Sequence, residues 1–373
     1  MGKKLKLGVI FGGRSGEHEV SLMSARSVLS VIDREKYEIF PIGITQEGRW
    51  VVGENLLDLL SEKKTSKLPG AALFGDPTRS GLYQLHSVSG DEIVFKLADL
   101  DVIFPVLHGT YGEDGTLQGM LEMADVAYVS AGVLGSSVAM DKALFKDLMR
   151  ANNIPVVPSI LVLRSQIEND LPAVVNLAEK VASYPLFVKP SNMGSSVGVS
   201  KCVNRSDLME GLIDAAQFDR RILIEKGIDA REIEISVLGN DQPQVSIPGE
   251  IRPNADFYSY EAKYILPNSE LIIPAVLTQD QITQIQGFAK RAYIAADCAG
   301  MARADFLLDK NSGEIYLNEI NTIPGFTKIS MYPKLWEASG LPYPQLIDRL
   351  IELAMERKAD REHTVHQFRS KQS

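Results

Sequence analysis

The order of apolar and polar positions in the last quarter of the chain predicts a β-hairpin. Two apolar runs, residues 304–308 and 314–320, flank residues 309–313, whose Asp, Asn, Ser and Gly are typical of a turn. Side chains on a strand point alternately to its two faces. Each predicted strand can therefore carry polar side chains on one face and apolar side chains on the other.

Four polar side chains lie on this predicted hairpin. Arg303 and Asp305 share a face of the first strand, and Glu319 and Asn321 share a face of the second. If the register aligns these faces, two carboxylates, an amide and a guanidinium converge. Such oxygen ligands suit Mg²⁺, and an adjacent arginine suits a phosphate or an oxyanion. The alternative is a surface hairpin with solvated charges, although strands this apolar rarely leave acids unpaired.

The apolar runs of the first third of the chain predict a doubly wound unit of parallel strands and helices. Strands are expected over residues 5–11, 37–44, 100–107 and 127–130, and helices over 22–32 and 116–123. Gly12, Gly13 and Gly16 follow the first strand but do not match the dinucleotide fingerprint. Residues 53–90 are predicted to be rich in loops, and the first domain to end near residue 135.

The middle of the chain predicts a phosphate-binding loop. A helix is expected over residues 140–151, and strands over 186–189, 221–225 and 232–238. Residues 190–198 follow Lys189 and supply glycines and serines, whose N–H and O–H groups can bind phosphate. The loop is not a Walker loop, and a plain Gly-Ser linker is the alternative. The last helix is expected over 343–358, with a polar tail after Met355 that frays.

Four further features each allow two interpretations. Glu17 can favour the dipole of the first helix or face a ligand amine. His108 can be a satisfied loop histidine or a ligand-binding residue in its glycine-rich segment. Glu225 can be an ordinary carboxylate at a strand end, or it can accept from an adenine amino group or a ribose hydroxyl. Residues 257–264 hold three tyrosines, an acid and a lysine, which favours a lid or substrate loop over simple packing.

Composition narrows the functional class. The chain has 373 residues, 45% hydrophobic content and a net charge of −9, which argues against general nucleic-acid binding and against binding to anionic membranes. No run of about 20 apolar residues predicts a membrane span, and the apolar run at residues 7–11 is too short for a signal peptide. Cys202 and Cys298 are predicted to be buried thiols in a reducing cytoplasm.

Taken together, four segments resemble the D-alanine–D-alanine ligases of the ATP-grasp superfamily. They are HGTYGEDGTLQG at 108–119, KPSNMGSSVG at 189–198, YEAKY at 260–264, and RAD at 303–305 with NEINTIPG at 318–325. The resemblance extends from GGRSGEHEVS at 12–21 to ISMYPKLW at 329–336. It implies an α/β and α+β ATP-grasp fold of three domains, with ATP held between two α+β domains. The implied boundaries are 1–135, 136–226 and 227–360, followed by a polar tail at 361–373.

The resemblance also implies an activity. Enzymes of this family join two D-alanines to D-alanyl-D-alanine through a D-alanyl phosphate, using ATP and two Mg²⁺ or Mn²⁺ ions, for peptidoglycan synthesis. They are cytoplasmic and usually homodimeric. The alternatives are a D-alanine–D-lactate or other ATP-grasp carboxylate–amine ligase, which Tyr264 argues against, and a nucleotide-responsive binding protein without turnover.

Roles of individual residues follow from the same resemblance. The implied metal ligands are Asp305, Glu319 and Asn321. The implied ATP-binding residues are Lys142, Lys189, Ser195, Ser196, Glu225, Lys226, Ile228, Glu232, Phe257, Lys263, Asn318 and Glu319. The implied substrate-binding residues are Glu17, His108, Lys263, Arg303, Ser330 and Met331. The implied catalytic group comprises Glu17, Ser195, Tyr264, Arg303, Gly325 and Ser330, with Arg303 and the Gly325 N–H at the oxyanion site.

Overall fold

The computed structural model describes residues 3–88, 90–252 and 270–365. Its strands are β1 (Leu5–Gly12), β2 (Tyr37–Ile44), β3 (Trp50–Val51), β4 (Gly70–Leu73), β5 (Leu82–Val88), β6 (Asp91–Ala98), β7 (Val102–Val106), β8 (Ala127–Tyr128), β9 (Ser159–Leu163), β10 (Leu186–Pro190), β11 (Ser200–Cys202), β12 (Arg221–Lys226), β13 (Ala230–Gly239), β14 (Gln244–Val245), β15 (Gly249–Arg252), β16 (Glu270–Ile272), β17 (Gly300–Asp309) and β18 (Ile315–Asn321). Its helices are α1 (His18–Val31), α2 (Leu56–Ser61), α3 (Thr116–Met123), α4 (Val133–Met140), α5 (Lys142–Ala151), α6 (Arg164–Ala178), α7 (Arg205–Phe218), α8 (Gln279–Ala295), α9 (Met331–Ala338) and α10 (Tyr343–Arg361).

The first sheet has eight strands in the order β6-β5-β4-β3-β2-β1-β7-β8. Strands β2, β1, β7 and β8 are parallel, as the doubly wound pattern predicts, and their mainly apolar runs suit a sheet covered by helices. The remaining four strands are antiparallel. Residues 53–90, predicted to be rich in loops, also contain regular elements that the prediction missed. That segment contains α2, β4 and β5, which are short and lack the clean alternation of a half-buried strand.

The second and third sheets are antiparallel. The second has the order β11-β10-β12-β9, and the third has the order β16-β15-β13-β17-β18 with β14 paired to β13. The predicted hairpins are present: β10 and β11 flank the glycine- and serine-rich loop, and β17 and β18 flank the turn near residue 310. The predicted helix at 140–151 is confirmed as α5, which begins at Lys142 because the Asp141 side chain accepts the backbone N–H groups of Ala143 and Leu144; Met140 ends the preceding helix, α4.

One hydrophobic core joins the first sheet to the C-terminal helices. It contains Phe104 and Val129 from the first sheet together with Tyr332, Leu346 and Leu350 from α9 and α10. The second sheet packs with α6 and α7 around a separate core. Both cysteines are free and buried, as predicted. In the described ranges, no helix is long and apolar enough to cross a membrane.

The chain beyond Met355 continues α10, so the prediction of fraying from that point is wrong. Arg357 lies with its guanidinium carbon 4.2 Å from the ring centroid of Tyr128. Lys358 Nζ lies 2.8 Å from Asp125 Oδ1, and Arg361 forms an ion pair with Glu122. These contacts hold the last turns of the helix against the first domain, which is why the polar sequence remains helical.

Candidate active site

The hairpin β17–β18 brings together the four polar side chains predicted to converge. Its register pairs Arg303 with Asn321 and Asp305 with Glu319, and an irregularity follows Asp305. Arg303 donates from Nε and Nη2 to the two oxygens of Asp305, both at 2.7 Å, and Asn321 Nδ2 donates to Asp305 Oδ2 at 3.0 Å. The carboxylates, amide and guanidinium thus lie on one face of the sheet.

Glu234 is a neighbour of Arg303 that the sequence did not single out. It lies on β13, opposite Asp305 in the sheet, and its Oε2 is 3.0 Å from Arg303 Nε. Arg303 therefore lies between two acids. If Asp305 turns to bind a metal ion, Glu234 remains to hold the guanidinium.

The oxygen ligands of this cluster fit a magnesium or manganese ion bound together with phosphates. Across the described ranges, no group of three or more His, Cys, Asp and Glu side chains is arranged to hold a metal. Asp305, Glu319 and Asn321 offer two carboxylates and one amide, and Mg²⁺ usually takes only one or two carboxylates when substrate phosphates complete its shell. Asp305 must then exchange its contact with Arg303 for the ion.

The phosphate loop follows β10 and is fixed to α5 at its base. Lys142, the first residue of α5, donates from its backbone to Ser191 O at 3.0 Å and from Nζ to Met193 O at 2.8 Å. Its Nζ also lies 3.5 Å from Glu319 Oε2. Lys142 therefore connects the loop to the hairpin cluster. Ser195 and Ser196 adopt positive φ angles of 48° and 60° within the loop.

Two lysines hold the carboxylate of Glu225 in the interior. Lys189 Nζ lies 2.5 Å from Oε2, and Lys146 Nζ lies 2.8 Å from Oε1. Burial alone would raise the pKa of Glu225, but the two positive charges overcome it and lower the pKa to about 2. Lys146 was not among the predicted site residues. The available signal was its spacing of one helical turn from Lys142, next to the apolar Phe145 and Met149.

The remaining predicted nucleotide-binding residues lie around these lysines. Lys226 ends β12, Ile228 follows it, and Glu232 lies on β13. Burial acts to lower the pKa of Lys189, but the adjacent Glu225 carboxylate, together with the charges of Glu319 and Glu232, raises it overall. Asn318 is on β18 at the irregularity, between Leu317 and Glu319. Lys189 of the second sheet therefore lies near Glu232 and Glu319 of the third sheet, and the space between these two sheets is the cleft.

Glu17 and Ser195 are brought together from distant parts of the chain. Glu17 lies between β1 and α1, is 8% exposed, and accepts a hydrogen bond from Ser195 Oγ. A Cβ atom at Gly109 or at Gly194 would lie 2.5 Å from Glu17 Oε2. Two glycines thus allow the backbones of two loops to approach the same carboxylate. Glu19, by contrast, is exposed in the first turn of α1.

His108 is buried with both ring nitrogens in hydrogen bonds. Burial lowers its pKa to about 4, so the ring is neutral near pH 7. Nδ1 lies 3.0 Å from Ile323 O, which can only accept, so Nδ1 carries the proton and Nε2 accepts from Ser24 Oγ at 3.0 Å. Ser24 Oγ in turn accepts from Phe326 N at 3.3 Å. Of the two interpretations of His108, the structure shows the histidine whose hydrogen bonds are satisfied within the protein. Its contact with a substrate amine stays a prediction.

Glu113 is a partly buried acid near Glu17 that the sequence reasoning did not assign. Its carboxylate accepts from Gly109 N at 2.7 Å and from Ile323 N at 3.2 Å, so it joins the first domain to the segment after β18. Burial, followed by the charge of Glu17, raises its pKa to about 8. Its position within the motif GEDG was the signal available in the sequence.

The segment after β18 contains the other predicted catalytic groups. A Cβ at Gly325 would lie 2.8 Å from Ser330 Oγ, so these two residues are in close approach. Ser330 is the residue before α9, and its Oγ accepts a hydrogen bond from Thr327 N at 3.0 Å. The Met331 side chain is buried against Ile251, so only its backbone N–H, at the start of the helix, is suited to bind a carboxylate. Phe257, Lys263 and Tyr264 lie outside the described residues.

Comparisons with known proteins agree with this arrangement. Residues 6–131 match the family model "D-ala D-ala ligase N-terminus", and residues 148–352 match "D-ala D-ala ligase C-terminus". A D-alanine–D-alanine ligase of Heliobacterium modesticaldum is 48% identical over 96% of this chain and 97% of that protein.

Solved structures agree as well. The D-alanine–D-alanine ligase of Coxiella burnetii has a TM-score of 0.79 at 36% identity and covers 97% of both chains. The VanG D-Ala:D-Ser ligase of Enterococcus faecalis has a TM-score of 0.82 at 35% identity, covering 94% of this chain and 100% of that one. The predicted three-domain ATP-grasp fold is thereby confirmed. The chain belongs to the D-alanine–D-alanine ligase family.

Proposed function

We propose that this protein is an ATP-dependent ligase that joins two D-alanines to D-alanyl-D-alanine for peptidoglycan synthesis. The observation that supports it best is the hydrogen bond from Ser195 to Glu17, which joins an amino-acid site in the first domain to the phosphate loop. A ligase that activates a carboxylate with ATP needs these two sites next to each other. The domain boundaries near residues 135, 226 and 360 are part of the same proposal.

In the first step, a carboxylate oxygen of the first D-alanine attacks the γ-phosphorus of ATP, and ADP leaves. Glu17 is suited to hold the ammonium of that D-alanine, since its carboxylate is buried and lies next to the phosphate loop, from which Ser195 donates to it. Lys142 and Lys189 are suited to hold the phosphates, because both ammonium groups lie at the cleft.

Asp305, Glu319 and Asn321 are the residues proposed to hold two Mg²⁺ or Mn²⁺ ions. Such ions, when bound, neutralise charge on the transferring phosphoryl group. Lys142, 3.5 Å from Glu319, is placed to share the same phosphate oxygens.

In the second step, the amine of the second D-alanine attacks the acyl phosphate, inorganic phosphate leaves, and the amine loses a proton. Arg303 and the Gly325 N–H are proposed to hold the oxyanion, and Ser330, Lys263 and the Met331 N–H the second carboxylate. Ser195 and Ser196 are proposed to close over the phosphates, since an acyl phosphate must be protected from water.

The second substrate is the least constrained part of the proposal. The VanG enzyme is named for D-serine, and it resembles this chain in fold as closely as the ligase from Coxiella burnetii does. Fold similarity therefore does not distinguish the second substrates. Tyr264, proposed to hydrogen-bond with Ser195 and Glu17, is the residue that favours D-alanine over D-lactate.

The test is phosphate release with ATP and Mg²⁺ while D-alanine, L-alanine, D-serine and D-lactate are offered in turn, with the product identified by mass spectrometry. D-Alanine alone should give the dipeptide and one phosphate per bond. Preferential mixed products with D-serine or D-lactate would assign the chain to another ligase. Nucleotide binding without any D-alanine-dependent turnover would instead support the binding-protein alternative.

The proposal also includes a cytoplasmic location and a homodimer. ATP is available in the cytoplasm, and two free buried thiols suit a reducing compartment. Light scattering after size-exclusion chromatography tests the dimer, which should have twice the 41.0 kDa mass of one chain.

A further inference from the structure

Lys146 is a buried charged residue to which the proposed mechanism gives no role. It lies on α5 between Phe145 and Met149, both fully buried, and its own side chain is 1% exposed. The start of the same helix is fixed to the phosphate loop, because Ser191 Oγ donates to Asp141 Oδ1 at 2.7 Å. A lysine at such a position must have a compensating partner, since burial of an isolated ammonium is costly.

The partner is Glu225, which Lys146 shares with Lys189. Each carboxylate oxygen faces one ammonium, at 2.8 Å for Lys146 and 2.5 Å for Lys189. In the described residues, Lys146 Nζ has no hydrogen-bond partner besides this ion pair. The charge of Lys146 therefore acts on Glu225 and, through it, on Lys189.

Lys146, Glu225 and Lys189 together carry one net positive charge. The exposure of the two lysines shows which of them can present that charge to a ligand. Lys189 is 17% exposed, whereas Lys146 and Glu225 are closed off from solvent at 1% and 3%. Lys189 is therefore the member of the group that faces the cleft. Without Lys146, Glu225 and Lys189 would form a neutral pair, and Lys189 would have less attraction for a phosphate.

We propose that Lys146 is a positioning residue for nucleotide binding: it neutralises Glu225 from the buried side and thereby leaves the charge of Lys189 for the phosphates of ATP. This inference rests on the proposed function, because it takes the cleft to be a nucleotide site. It concerns phosphate affinity and not the amino-acid sites, which lie on other elements.

Lys146→Met tests the proposal, because methionine has a similar length and no charge. Met149→Ala is the matched control, since Met149 is on the same buried face of α5 and its loss destabilises without removing a charge. The measurements are ADP affinity by calorimetry with Mg²⁺, adenosine affinity by competition, the KM values for ATP and D-alanine, and thermal unfolding.

Lys146→Met should weaken ADP binding and raise the KM for ATP at least tenfold, equivalent to about 1.4 kcal/mol. Adenosine affinity and the KM for D-alanine should stay within about twofold, because neither ligand carries a phosphate. Met149→Ala should leave all four constants within the same limit at a comparable loss of thermal stability.

Three results would overturn the proposal. The first is unchanged ADP affinity in folded Lys146→Met. The second is an equal loss for ADP and adenosine, which would mean that the adenine pocket is distorted. The third is the absence of cooperative unfolding in both Lys146→Met and Lys146→Gln even with saturating MgADP, which would make Lys146 a folding residue. If the wild-type protein binds ADP but forms no dipeptide, the proposed function is wrong. The comparison of ADP and adenosine affinity in Lys146→Met would still test the role of Lys146.

Discussion

Replacement of Gly194 by alanine isolates the contact between the phosphate loop and the first domain. The φ angle of Gly194 is not in the left-handed region, so the backbone accepts alanine, but the added Cβ would lie 2.5 Å from Glu17 Oε2 and 3.3 Å from its Cδ. Glu17 has little free space around it, because its side chain is buried and the backbone of Gly109 also approaches Oε2 closely. The loop or the carboxylate must shift, and the hydrogen bond from Ser195 is then lost.

The expected cost follows from the type of hydrogen bond. A hydrogen bond to a charged group contributes about 1.5–3 kcal/mol, so kcat/KM for D-alanine should fall roughly 10- to 100-fold. Global stability should change little, because the loop is at the protein surface. A shift of the unfolding midpoint below about 2 °C would agree with this, given that 1 kcal/mol corresponds to about 2–4 °C for domains of 150–250 residues.

The assay is phosphate release as a function of D-alanine concentration at saturating ATP. Gly16→Ala is the matched control, because Gly16 is next to Glu17 in sequence and an added Cβ there contacts nothing within 4 Å. Wild-type kcat/KM in Gly194→Ala would refute the reasoning, since the collision with Glu17 would then have no effect on the reaction. Equal losses in both variants would also refute it.

Four further predictions use the same site. Arg303→Lys should lower turnover about a hundredfold or more, because an ammonium cannot replace the planar guanidinium at an oxyanion site. If the variant kept half of the wild-type turnover, another group would have to hold the oxyanion. Glu319→Gln should abolish ligation and leave the circular dichroism spectrum unchanged, and near-wild-type turnover would remove it from the metal site. Tyr264→Phe should gain measurable D-alanyl-D-lactate synthesis while keeping part of its dipeptide activity, and no depsipeptide between about pH 6 and 9 would contradict this. His108 is neutral in the folded protein, with a pKa of about 4, so its contribution to the free energy of unfolding should be complete above about pH 6.5. About 3 kcal/mol of this free energy should be lost as the pH falls towards 4, and His108→Gln should reduce this pH dependence in denaturation experiments.

The hairpin and the central parallel strands were predictable because each has a simple periodic pattern. The cluster of Arg303, Asp305, Glu319 and Asn321 follows from alternation along two strands and a turn of fixed length. Strand β2 was predicted with its observed ends, since Glu38 is the only charged residue in its apolar run. In such cases local sequence and tertiary packing favour the same conformation.

The antiparallel half of the first sheet was not predictable in the same way. Strand β6 has exposed apolar side chains, among them Phe95 at 54%, so its pattern does not match a half-buried strand. Strands β3 and β4 are two and four residues long, which is too short for a periodic signal.

The buried charged residues were missed for a different reason. Lysine and glutamate are usually exposed, so the sequence signals at Lys146 and Glu113 were too weak to predict that these side chains are withdrawn from solvent. Their burial depends on partners more than 75 and 200 residues away in Glu225 and Ile323, and only the folded chain brings these partners together.

The hydrophobic core shared by the first sheet and helices α9 and α10 determines which parts of this enzyme can separate. Sliding the first domain against the third would expose that core and break the ion pairs of α10, whereas the second sheet has a core of its own. The first sheet and the C-terminal helices therefore form one unit, and the second sheet can move relative to that unit without uncovering its own core. Any such movement would break the hydrogen bond between Ser195 and Glu17, so that contact reports whether the second sheet is held against the rest of the molecule.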